Sequence, residues 1–83
     1  MPFRRLSKLS KERIIKVLEG LGFTHLDAQI YIFLAKEGPH KMREIALSLN
    51  FQDERIRRSL IELQEINIVK ASIENPLEYI AVL

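Results

Sequence analysis

Eighty-three residues, 47% hydrophobic and 29% charged, suffice for one small domain with a thin core and are too apolar to remain disordered. The absence of cysteine excludes a disulfide framework and thiolate metal sites and fits a cytoplasmic protein. No apolar run approaches the length of a membrane span, and the opening Met-Pro-Phe-Arg-Arg is not a signal peptide.

The net charge of +2 is small but unevenly placed. Residues 1–16 carry +5 and residues 41–58 carry +2, whereas residues 17–40 carry −2 and residues 59–83 carry −3. Basic charge thus gathers on the N-terminus and on one central segment, as a phosphate-binding face requires.

In chain order, residues 1–9 read as a basic flexible arm ahead of a single domain over 10–83. Ser10 is placed to cap a first helix running to about Glu19, with Ile14, Leu18 and Leu21 on one stripe and Gly20 near its end. Thr24 opens a second helix, Thr24-x-x-Asp27 forming a shortened capping box, and Leu26, Ile30, Phe33 and Leu34 recur at helical spacing. Gly38-Pro39 closes it with a left-handed cap and a breaker. His40 and Lys41 lead into a short third helix, Met42 to Leu49, whose Ile45 and Leu49 point inward. At the tight Asn50-Phe51 break, Asn50 takes a positive φ.

A fourth helix spans about 53–66, with Ile56, Leu60 and Leu63 inward and Asn67 ending it in place of glycine. Ile68 to Ile73 and Glu78 to Leu83 read as two strands around the turn Glu74-Asn75-Pro76-Leu77. The expected fold is mainly α with a small β wing. It is a winged helix-turn-helix, four helices followed by a two-stranded antiparallel hairpin.

The segments from Leu21 to Ala46 and from Ile56 to Val82 resemble the N-terminal winged-helix domain of the archaeal TrmB-type transcriptional regulators. The marks of the resemblance are Leu21-Gly22, Thr24, Ala28, Tyr31, Gly38-Pro39 and Arg43-Glu44-Ile45-Ala46, then Leu60, Leu63, Ile68-Val69 and Pro76-x-x-Tyr79-x-Ala81-Val82. It implies sequence-specific binding of double-stranded DNA in transcriptional regulation. Regulators of this type continue into a helical linker and a sugar-sensing domain. This stretch has neither, being a free-standing winged helix or a piece of a longer regulator, and no small-molecule effector site is expected within it.

Arg55, Arg57 and Arg58 point away from the apolar line of the fourth helix, together with Gln52, Asp53 and Glu54. Arginine meets guanine O6 and N7 with both arms of its fork, and glutamine can read adenine in the same bidentate way. Arg55 and Arg58 are therefore the expected principal base contacts, with Arg57 beside them and Gln52 as a further reader. Lys41 and Arg43, at the start of the third helix, are placed for backbone phosphates, and Lys70 is the one basic wing residue. The competing reading is an ordinary solvated face, with Glu54 and Arg58 an i,i+4 pair.

Three departures from the family pattern weaken the DNA reading. Asp53 and Glu54 suit the helix dipole but repel phosphate, although they can accept from a cytosine amino group. Leu77-Glu78 stands where the family has basic wing residues, and Ser59 stands where an apolar residue is usual. The alternative is a winged-helix protein–protein interaction or dimerisation module without DNA binding. Ile15, Val17, Ile61, Ile66 and the last strand leave apolar surface that a homodimer would cover.

His25 and His40 lack any metal-ligand spacing and read as surface residues at helix starts, Gly20 and Gly22 make no phosphate loop, and no serine has a nucleophile's surroundings. Tyr31 reads as a packing residue with its hydroxyl at the core edge. No catalytic activity, cofactor or metal is expected.

Overall fold

The computed structural model describes residues 8–82, and their side chains from residue 11. Helices α1 (Lys8–Gly20), α2 (His25–Glu37), α3 (Met42–Leu49) and α4 (Asp53–Glu65) precede strands β1 (Val69–Ala71) and β2 (Tyr79–Ala81). The strands form an antiparallel hairpin with Val69 opposite Ala81, Lys70 opposite Ile80 and Ala71 opposite Tyr79. The protein is a winged helix, mainly helical.

Helix α2 is the central element, touching α1, α3, α4 and β2. Leu26, Ile30 and Leu34, one residue per turn, bury against Ile45 and Ala46 of α3, Ile56, Leu60 and Leu63 of α4, and Val69 of β1. Each such aliphatic side chain contributes roughly 1.5–3 kcal/mol on leaving water. Ile32 is also buried but lies outside that cluster, on the side of α2 where it and Ile15 of α1 line a common groove. The α2 start is the expected capping box: Thr24 Oγ1 accepts from the Asp27 N–H (3.0 Å) and Asp27 Oδ2 from the Thr24 N–H (3.1 Å).

Three of the four helices end in one way. The N–H of Phe23 reaches back to the Leu18 carbonyl (3.1 Å), that of Phe51 to Ala46 (3.0 Å) and that of Ile68 to Leu63 (3.1 Å). In each case the preceding residue has a positive φ: Gly22 at 102°, Asn50 at 62° and Asn67 at 66°. Each is followed by an apolar residue packed on the core, Phe23, Phe51 or Ile68. These are Schellman ends, in which the reversed residue satisfies orphan carbonyls and the next one anchors the exit.

Several expectations need correction. Helix α1 already includes Lys8, so Ser10 lies inside the helix and does not cap it. The expected arm otherwise falls on residues 1–7, outside the described residues. Gly20 ends α1 as expected, but Leu21, expected on the inward stripe, is 72% exposed, because the Schellman bonds from Gly22 and Phe23 turn the chain there. Gly38 has φ 87° but ψ −168°, so its backbone is extended rather than left-handed helical. The reason lies just beyond it. His40 pairs with Tyr79 through reciprocal backbone bonds of 3.2 and 2.8 Å, which requires an extended entry. His40 is consequently half-buried, edge-on to Phe33 at 4.9 Å between ring centres, while His25 is exposed as expected and 2.9 Å from Glu19.

The strands are shorter than expected because Ser72 closes the turn early. Its N–H donates to the Glu78 carbonyl (2.8 Å) and its hydroxyl accepts from the Glu78 N–H (3.1 Å). The hydroxyl proton lies within reach of the Pro76 and Glu74 carbonyls at 3.1 and 3.2 Å.

Two substitutions separate packing from backbone shape. Leu60→Ala should cost about 2–5 kcal/mol in urea unfolding, the range for deleting a fully buried leucine. Asn50→Ala should cost about 1 kcal/mol through its left-handed backbone, whereas Asn50→Gly should be tolerated. Equal losses from Ala and Gly at position 50 would assign its importance to the side chain instead.

Candidate nucleic-acid interface

Helices α3 and α4 are joined by Asn50, Phe51 and Gln52 alone. The left-handed Asn50 reverses the chain and Phe51 plugs into the core, so the start of α4 is fixed by its own connection. Met42 to Glu65 is therefore a helix-turn-helix with α4 second. The inner line of α4 is Ile56, Ser59, Leu60 and Leu63, all buried. By helical spacing, the line diametrically opposite is Glu54, Arg58, Ile61 and Glu65, all exposed.

The structure brings Arg55, Arg57 and Arg58 to the surface of α4 in three different settings. Arg55 lies over the Phe51 ring, its guanidinium 5.3 Å from the ring centre. This cation–π contact restrains the side chain near the N-terminal end of the helix. Arg57 pairs with Glu54 one turn earlier, so the expected Glu54–Arg58 pair is not formed. The helix supports either spacing, and Arg57 takes the carboxylate. Arg58 makes no ion pair among the described residues and keeps its full charge on the outermost line.

Asp53 is half-buried and receives Arg43 Nη1 of α3 at 3.1 Å. The two carboxylates at the start of α4 are thus each met by an arginine, and Arg43 is committed to the protein. As an exposed pair this bond is worth about 0–1 kcal/mol, weak enough to be exchanged for another anion. Lys41, just before α3, is exposed, and its N–H donates to Glu44 Oε1 (2.9 Å). Gln52 is the exposed residue ahead of α4, and its side chain makes no capping bond. Lys70 is exposed on the hairpin, opposite Ile80.

The wing is held to this surface from both ends of β2. The His40–Tyr79 bridge ties it to the segment entering α3. At the far end, the Tyr31 hydroxyl of α2 donates to the Val82 carbonyl (3.1 Å). Tyr31 is more than a packing residue, and burial pushes its hydroxyl above the usual tyrosine pKa of 10.0. The wing tip itself is apolar and acidic. Ile73 is fully exposed and Leu77 half exposed, beside Glu74 and Glu78.

Sequence reasoning missed Phe51 as the support of Arg55, although the i,i+4 spacing of an aromatic and an arginine signals it. It also missed the Arg43–Asp53 pair, ten residues apart, and the part played by Ser72. Neither follows from any local pattern.

A family model described as sugar-specific transcriptional regulator TrmB matches residues 18–83. The chain belongs to the TrmB family. No curated protein and no solved structure matches it. The TrmB match takes in α2 to β2 and hence every residue of the surface described above. It makes the chain part of a family of transcriptional regulators, which supports regulation through DNA in general terms. Among the described residues, no group of His, Asp and Glu side chains is placed to hold a metal ion, and no helix is long and apolar enough to cross a membrane.

The Tyr31 hydroxyl yields an alkaline prediction. With its folded pKa raised, the stabilisation is complete below the unfolded value of about 10 and is lost as pH rises through the folded value. The stability difference between the wild type and Tyr31→Phe should therefore hold up to about pH 10 and shrink over the next unit or so, because a tyrosinate cannot donate to Val82. A difference constant across that window in urea unfolding would mean that the hydrogen bond is not what Tyr31 supplies.

Proposed function

We propose that this domain binds double-stranded DNA sequence-specifically in transcriptional regulation, as a homodimer, with α4 in the major groove. The observation that carries this reading is Arg58, without an ion pair among the described residues, on the outermost line of the second helix of a helix-turn-helix, in a chain of a regulator family. Arg58 and Arg55 are assigned to guanine readout, Arg55 being already restrained by Phe51. Arg57 and Gln52 supplement them, with Asp53 and Glu54 able to face cytosine amino groups. Lys41 and Lys70 hold phosphates, and Arg43 joins them by exchanging Asp53 for a phosphate oxygen.

The dimer is supported by apolar side chains left in water away from the outer line of α4: Val17 (58% exposed) and Leu21 on the α1 side, and Ile66 just past α4. Two-fold symmetry would set two recognition helices about 34 Å apart, matching one DNA turn.

A second reading, an interaction module that ignores DNA, is favoured by one specific observation. Arg58 has Glu54, Ile61 and Glu65 on its own line, and the wing tip adds two more glutamates. The net field of this face is therefore modest.

Anisotropy titration against random duplexes at about 50 and 200 mM salt separates the two readings. The DNA reading expects a dissociation constant of about 10⁻⁴–10⁻⁶ M that weakens steeply with salt. No binding at either salt selects the interaction module. Against an operator selected from that pool, Arg58→Ala should lose about 1–3 kcal/mol at particular base positions. Lys41→Ala should weaken all sequences alike and lower the salt slope by about 1. Asp53→Asn should strengthen binding to all sequences alike with the slope unchanged, because Arg43 then reaches its phosphate without first breaking a pair. Sedimentation equilibrium should return a dimer, and a monomer at all concentrations would remove the two-half-site geometry.

A further inference from the structure

A second feature lies away from α4. Helices α1 and α2, with the last residue of α3, enclose a groove of about 220 Å³. Its walls include Ile15, Ile32, Phe33 and Leu49, and Lys11 of α1 and Lys36 of α2 stand at its rim. No residue of α4 or of the wing contributes to it.

Lys11 and Lys36 stand beside each other at the rim, and Glu37 also lines the groove. Contact with the Lys36 side chain, and then its charge, holds the Lys11 amine below its ordinary value, slight burial adds to this, and Glu37 pulls the other way. Among the described residues the lining thus carries one positive charge in excess. An anion placed between the lysines would remove the repulsion and gain two charge-assisted hydrogen bonds. The apolar walls below require the rest of that anion to be hydrophobic. Drug-sized ligands occupy about 300–1,000 Å³, so this groove suits something smaller, a single ring or a short acyl chain.

From this geometry we infer that the groove between α1, α2 and the end of α3 is a binding site for a small amphipathic carboxylate, its carboxylate between Lys11 and Lys36 and its apolar body against Ile15, Ile32, Phe33 and Leu49. The site was not legible in the sequence, where Lys11, Lys36 and Leu49 belong to three separate helices with no shared motif. It does not depend on the DNA reading, since it shares no side chain with the proposed DNA-binding set.

The test is a ¹H–¹⁵N correlation titration of the 83-residue chain with sodium benzoate, at constant ionic strength, beside sodium acetate and neutral benzamide. Benzoate should shift the amides around Lys11, Ile15, Ile32 and Leu49 and saturate at millimolar concentration. Acetate lacks the apolar body and benzamide the charge, and each should bind at least roughly tenfold more weakly, as should benzoate to Lys11→Gln or Lys36→Gln. Both lysines extend to the rim, so these variants should keep the wild-type spectrum in the absence of ligand. Equal affinity for benzamide would overturn the lysine pair as the anchor. Equal affinity for acetate would reduce the site to a nonspecific anion contact, and the proposal fails too if the benzoate shifts do not saturate or fall on α4.

Discussion

The column Leu26–Ile30–Leu34 on α2 is the constraint on which the rest of the molecule depends. In a chain this short, one helix must satisfy several neighbours at once, and α2 does so by being apolar nearly all round. Its one line of aliphatic side chains receives α3, α4 and β1 together. Helix α1 also packs on α2, with Ile15 and Ile32 lining the groove between them. Because α3 and α4 rest on the same column, the angle of the helix-turn-helix is not adjustable independently of the core. The surface that α4 offers is set in the end by three side chains that never reach it.

Regular periodicity made most of this architecture legible in advance. The spacing of Ile56, Leu60 and Leu63 oriented α4 correctly, and Thr24-x-x-Asp27 located the start of α2. Asn50 and Asn67 were expected to stand in for glycine at helix ends, since asparagine tolerates that backbone best after glycine, and both have a positive φ. What escaped were features made by residues remote in sequence. The His40–Tyr79 bridge spans 39 positions, and it reset both the backbone at Gly38 and the environment of His40. Ser72 looks like any polar turn residue until its hydroxyl is seen to organise the wing. At the candidate interface, the exposure of the arginines was readable from helix phase, whereas their partners were not. Arg57 rather than Arg58 takes Glu54, and the distant Arg43 takes Asp53.

Those partnerships change how the charge of α4 should be understood. Counting residues 53–58 gives three arginines against two carboxylates, a nearly balanced segment. The pairing distributes that balance unevenly. Asp53 and Glu54 are occupied, Arg55 is braced by an aromatic ring, and Arg58 makes no ion pair among the described residues on the line of α4 opposite the core. Exposed ion pairs of this kind are weak and exchangeable. Each pair therefore adds little to the stability of the fold and leaves the arginine side chains at the surface.

The repeated Schellman ends have a consequence for how such a domain can diversify. At Gly22, Asn50 and Asn67 the chain is reversed by main-chain hydrogen bonds and a partly buried apolar residue packed on the core, with no contribution from the outward side chains of α4. Folding information and surface information are thus written in separate alphabets. The positions at 54, 57, 58 and 61 can be rewritten at a cost within about 0.5 kcal/mol each, because surface changes away from caps and core seldom exceed that. One scaffold can accordingly drift through many binding preferences without passing through an unfolded ancestor.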